Sequence, residues 1–140
     1  MNKNTEKAKQ ILLKDGYTCV LVKGDKTLTS RERGVKPLLN FLDNQIEKGY
    51  YSADKVVGKS AAMLYVLLGV REIFASVMSV PATQILKNAG INYFCESLVD
   101  RIENRAKNGF CPMEEAVLTE DDPKKGLLLI KNKLKELNAN

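Results

Sequence analysis

The 140-residue sequence contains no histidine, which removes the commonest general base at neutral pH and the commonest zinc ligand together. Its three cysteines, Cys19, Cys95 and Cys111, are odd in number and nowhere spaced as Cys-x-x-Cys. Neither a disulfide framework nor a standard zinc site is indicated, and free thiols fit a reducing compartment. Aromatic residues make up only 6%, too few for a platform on which nucleic-acid bases stack, and the net charge of +5 comes from lysines interleaved with acids. The longest apolar run, Ser60 to Val70, is too short to cross a bilayer, and the opening Met-Asn-Lys-Asn-Thr-Glu-Lys lacks the apolar segment of a signal peptide. No linker, low-complexity tract or internal repeat stands out. These absences predict one domain over residues 1–140, cytoplasmic, with no membrane partner, nucleic acid disfavoured and no cofactor called for. Oligomeric state is not legible in them.

What is present is a succession of helix and strand signals. Thr5 is placed to cap a first helix with Ala8, Ile11 and Leu12 on one face, and Gly16 to end it. The β-rich runs Thr18–Val22 and Thr27–Thr29 flank Gly24-Asp25, which predicts a hairpin. Pro37 opens a helix whose apolar face is Leu38, Leu39, Phe41, Leu42 and Ile46, and Gly49 stops it. Tyr51 to Val70 is read as a buried, nearly all-apolar helix entered through Asp54, Lys55 and Lys59, with Ser52 or Asp54 as its cap. Glu72–Met78 predicts a central strand, Ser79 caps a helix through Pro81, Ile85 and Leu86, and Ile91–Cys95 returns as a strand. Asp122-Pro123 starts a last helix striped by Leu127, Ile130, Leu134 and Leu137. Helix and strand alternating after a hairpin predict an α/β fold: a mixed sheet with an N-terminal hairpin and later parallel strands, helices packed on the sheet.

Candidate chemistry gathers at the start of the buried helix. Orphan N–H groups at a helix N-terminus attract anions, and Lys55 and Lys59, one turn apart, would add charge beside the capping Asp54. Ser60, Arg33 and Glu114 complete the predicted ligand-binding set. Cys111-Pro112-Met113-Glu114 has capping-box-like spacing, with Glu114 able to reach back, so Cys111 is either a packed cap or a thiol made nucleophilic by its helix start. For catalysis, Lys55 is the candidate base or electrostatic stabiliser and Cys111 the candidate nucleophile, with no third group to orient either. Arg31, Arg33 and Lys36 could take phosphate at a strand-to-helix junction, and Arg101 and Arg105 lie one turn apart, although surface pairing with nearby glutamates is the plainer account of each. Ala53-x-x-x-x-Gly58-Lys59-Ser60 matches a relaxed phosphate-loop pattern, against which stand the missing glycines and an Asp54 that would face the anion.

Three segments, Arg33-Gly34-Val35-Lys36-Pro37-Leu38-Leu39, Ala53-Asp54-Lys55-Val56-Val57-Gly58-Lys59 and Gly109-Phe110-Cys111-Pro112-Met113-Glu114-Glu115-Ala116-Val117, together resemble an uncharacterised prokaryotic family, domain of unknown function eighteen ninety-three. The resemblance covers nearly the whole chain and implies a cytidine deaminase-like fold with a pocket, but no established activity. Zinc deaminases of that fold hold the metal through a His-x-Glu-type motif at one helix start and Pro-Cys-x-x-Cys at the next. Here the first start carries Asp54-Lys55-Val56, and the second carries Pro81-Ala82-Thr83-Gln84-Ile85, with Ala82 and Ile85 where the cysteines would stand. No metal ligand and no zinc-dependent deamination are therefore expected. The expected function is binding of a small anionic, nucleotide-like ligand at a helix N-terminus. The alternatives are a non-catalytic sensor or protein-interaction module, a P-loop-like nucleotide binder and a basic nucleic-acid accessory protein.

Overall fold

Asn2, rather than Thr5, starts the first helix in the computed structural model, which describes residues 1–104 and 106–138. Its side-chain oxygen accepts the Asn4 N–H at 2.8 Å, and helix α1 (Lys3–Asp15) closes on Gly16 in the left-handed region. Thr5 lies a turn inside and is buried, while Ala8 and Leu12 face the sheet as expected. The hairpin forms as predicted: β1 (Cys19–Lys23) and β2 (Lys26–Ser30) pair antiparallel with Lys23 opposite Lys26 across Gly24-Asp25. Helix α2 (Lys36–Asp43) opens at Pro37 but stops at Asn44, so Ile46 packs on the core from beyond it and Gly49 is not its terminator.

The main departure follows. Tyr51–Val57 is a strand, β3, and the buried helix α3 begins only at Lys59 and runs to Leu68. On one edge β3 pairs antiparallel with β1, and on the other it pairs parallel with β4 (Glu72–Ser79), so both of its ladders are filled. Both of its faces are covered too, Ala53 by α1 and the inward Ser52 and Asp54 by α3. Polar residues pointing into the protein break the apolar alternation that marks a strand, and the apolar run of α3 follows at once, so the segment reads as helix. Asp54-Lys55-Val56 is therefore strand and does not form a helix mouth.

Helix α4 (Val80–Asn88) is capped as predicted, with the Ser79 hydroxyl accepting the Ala82 N–H at 3.3 Å. Strand β5 (Asn92–Val99) extends past the predicted Cys95, and α5 (Pro112–Ala116) and α6 (Pro123–Asn138) complete the chain. The sheet runs β2-β1-β3-β4-β5, antiparallel across the hairpin and β1–β3 and parallel across β3–β4–β5. This is an α/β fold on a five-stranded mixed sheet. Helix α1 covers one face over Val20, Val22, Ala53 and Phe74. The larger core on the other face joins Leu21, Leu38, Leu64, Ile73, Leu86 and Ile130. Along α6, Leu127 and Leu134 pack against that core but Leu137 is 49% exposed, so the apolar stripe ends a turn early. Among the described residues no helix is long and apolar enough to cross a membrane.

Candidate functional site

The carboxyl end of β3, the first turn of α3, the β2–α2 loop and the start of α5 enclose a cavity of about 180 Å³. Crevices at the carboxyl ends of parallel strands are where open α/β sheets take ligands. Arg33, Asp54, Lys55, Ser60, Cys111 and Glu114 all line it, and of the predicted set Lys59 alone does not.

Strand β3 turns Asp54 inward, where the Tyr65 hydroxyl of α3 donates to Oδ2 at 2.7 Å and the Val56 N–H to Oδ1 at 3.3 Å. Ser52 Oγ donates to the same tyrosine oxygen at 2.8 Å, and Cys19 Sγ lies 3.3 Å from it. A phenol has one hydrogen, and Asp54 takes it, so the Cys19 thiol is the donor in that last contact. Burial pushes the Asp54 carboxyl up to about 7, against the opposing pull of the bonds from Tyr65 and the backbone. Burial also holds the Cys19 thiol and the Tyr65 phenol well above their usual ranges, and the Asp54 charge adds to both shifts. Within this network Asp54 is thus the group that changes charge near neutral pH, the behaviour asked of an acid–base residue. Sequence reasoning singled out Asp54 as a cap and missed Tyr65 as its partner and Ser52 and Cys19 as partners of that tyrosine; the available signal was Ser52 and Asp54 at alternate positions, facing a buried helix that carries a tyrosine. Replacing Tyr65 with Phe removes a bond that lowers the Asp54 pKa. The carboxyl midpoint, followed by carbon-13 NMR, is expected to rise, and an unchanged midpoint would show that the bond does not form in solution.

Glu114 does something else than predicted. Instead of reaching back to Cys111, its carboxylate crosses to α3, where Oε1 accepts the Lys59 N–H at 2.6 Å and Oε2 accepts the Ser60 N–H at 2.9 Å and the Ser60 hydroxyl at 2.8 Å. Gly58 is the N-cap of α3 and offers no side chain; a Cβ there would overlap the Glu114 carboxylate, so the close approach requires glycine. The anion-attracting end of α3 is therefore satisfied from within the chain. Neither Ser52 nor Asp54 caps it. Lys55 is exposed on β3, while Lys59 points away from the cavity, donating to the Leu118 carbonyl at 3.2 Å and pairing with Asp121 at 2.9 Å, so the two lysines share no face. A phosphate loop is excluded by the same geometry, because Ala53–Val57 is strand and Gly58 alone separates it from the helix.

Cys111 is the N-cap of α5 without a side-chain capping bond, and it stands half-buried on the cavity wall. Arg101 stacks over Phe110 at 4.8 Å, outside this cavity, and Arg105 lies outside the described residues. Among the described residues no cluster of three His, Cys, Asp or Glu side chains is placed to hold a metal ion.

No curated protein matches the chain. One solved structure, the crystal structure of a DUF1893 family protein from Thermotoga maritima, superposes with a TM-score of 0.83 at 25% identity over 97% of this chain and 92% of that one. The family model described as Domain of unknown function (DUF1893) matches residues 7–134, and the chain belongs to that family.

Proposed function

We propose that this protein binds a small anionic molecule in the Asp54 cavity, with Asp54 as the group that exchanges a proton or hydrogen bond with it and Arg33 and Lys55 as the cations at the mouth. The observation that carries this reading is a buried carboxyl, pushed up to about 7 by burial, on the wall of a cavity that also presents apolar groups such as Val35, Pro37, Ala61, Ile102 and Met113. With the α3 terminus occupied by Glu114, the attraction for an anion moves to the rim. Among the described residues neither Arg33 nor Lys55 has a carboxylate ion-pair partner. A ligand with a hydrogen-bond donor beside its anionic group suits both ends, the donor meeting Asp54 and the anion meeting the rim. Ser60 and Glu114 then serve as a fixed wall, Lys59 braces the α5–α6 connection, and Cys111 is the nucleophile within reach of whatever fills the space.

The strand order and the starts of α3 and α4 directly after parallel strands support one cytidine deaminase-like domain over residues 1–140. Ala82 and Ile85, buried at the start of α4, carry no metal-binding atoms, which supports a variant of that fold working without zinc.

Thiol labelling tests the proposal. Cys111 lines the cavity, Cys95 is half-buried outside it on β5, and Cys19 is fully buried. After a thermal-shift screen of nucleotides, sugar phosphates and carboxylates, a true cavity ligand is expected to slow alkylation of Cys111 while leaving Cys95 unchanged, with Cys19 modified last. Protection should disappear in Arg33→Ala and Lys55→Ala. Hits that leave Cys111 labelling untouched, or survive both substitutions, would place binding elsewhere.

A further inference from the structure

We infer that the ligand of the Asp54 cavity carries a chain of linked phosphates that leaves the cavity past Arg33 and lies along Arg31 and Lys36. This rests on the binding role proposed for the cavity. A shallower depression of about 540 Å³, lined by Arg31, Glu32, Arg33 and Lys36, opens beside the cavity and shares Arg33 with it. The one acid in it, Glu32, pairs with Lys36 at 3.2 Å, so the uncompensated charge of the depression is that of Arg31 and Arg33, and a phosphate reaching Lys36 takes the place of the Glu32 carboxylate. Arg31 is held in place, its guanidinium 4.2 Å from the Tyr17 ring centre and one nitrogen donating to the Asp15 carbonyl at 3.1 Å. Those contacts leave guanidinium donors unused and reduce the side-chain entropy still to be lost on binding. Among the described residues Arg31 has no carboxylate ion-pair partner, and Arg33 has none either. Helix α2 begins at this rim with no side chain capping its first turn and no acidic residue in it.

A single phosphate inside the cavity mouth would engage Arg33 and Lys55 and leave the outer cations idle. Guanidinium forks match phosphate oxygens two at a time, and a run of cations along one depression fits a run of phosphates. The head group, donating to Asp54, and the tail, lying on the β2–α2 loop, are then read by separate parts of the fold.

Calorimetry with inorganic orthophosphate, pyrophosphate and tripolyphosphate tests the tail site directly, because these probes have no head group. Affinity is expected to rise with chain length. The double variant Arg31→Ala/Lys36→Ala, at two exposed positions, should weaken tripolyphosphate about tenfold while changing orthophosphate less than about twofold. Arg33→Ala should weaken all three, and the control pair Lys124→Ala/Lys125→Ala, exposed on α6, none of them. Affinity independent of chain length, or an equal loss in the α6 control, overturns the inference. Failure of the cavity proposal looks different: the phosphate ranking holds, but no organic hit protects Cys111.

Discussion

Glu114→Ala is expected to lower stability by about 3 kcal/mol, near 10 °C in Tm for a chain of this size, the largest loss expected of a single replacement at the cavity. The carboxylate is buried and accepts three hydrogen bonds, two from the first backbone N–H groups of α3 and one from Ser60. Its removal orphans all three donors at a buried helix start, which is why the loss exceeds that of an ordinary surface cap. Gly58→Ala should cost about 2 kcal/mol for a related reason, since the added methyl must displace the same carboxylate. The two effects share one cause and so cannot add. In a double-mutant cycle followed by urea unfolding, Gly58→Ala is expected to be nearly neutral once Glu114 is alanine. Additive losses would mean that the glycine is required by something other than the carboxylate.

The second large effect depends on pH. Asp54 has a native pKa of about 7 against an ordinary value near 3.8, so the folded state holds its proton where the unfolded state has released it. Between those two values the native state binds more protons, and the stability contributed by this group is full below the lower value and lost as pH rises through the upper one. The total is at most about 4 kcal/mol. Asp54→Asn keeps an acceptor for the Tyr65 hydroxyl and never ionises. The variant should therefore gain stability relative to the natural protein progressively from pH 4 to 7 and hold that gain at pH 8, less what the lost Val56 N–H bond costs. Urea denaturation of both proteins across that range measures the difference curve; a flat curve would mean that the carboxyl titrates in the native state as it does unfolded. A substitution that stabilises the protein and abolishes cavity binding is the pattern expected where a group is kept for function at the expense of stability.

Much of this molecule follows from residues close together in the chain. The hairpin turns at Gly24-Asp25, Ser79 caps α4, Pro37 opens α2, and the alternation of elements predicts a mixed sheet with parallel strands, all as found. Each of these signals acts within one or two turns of backbone, which is why they can be read without the fold. Composition and motif reading also brought together Arg33, Asp54, Lys55, Ser60, Cys111 and Glu114, which line one cavity. Their roles were decided elsewhere. Tyr51–Val57 is a strand because β1 and β4 fill both its edges and two layers of helices cover its faces, conditions that exist only once the sheet has assembled. The cap of α3 comes from Glu114, 55 residues beyond the N–H of Lys59 that it accepts, and no local pattern encodes a partner that distant. Lys59 turns from the cavity to Asp121 for the same reason. The Asp54 carboxyl is pushed up to about 7 because the surrounding core desolvates it, against the opposing bond from Tyr65, and desolvation is a property of tertiary packing rather than of the residue itself.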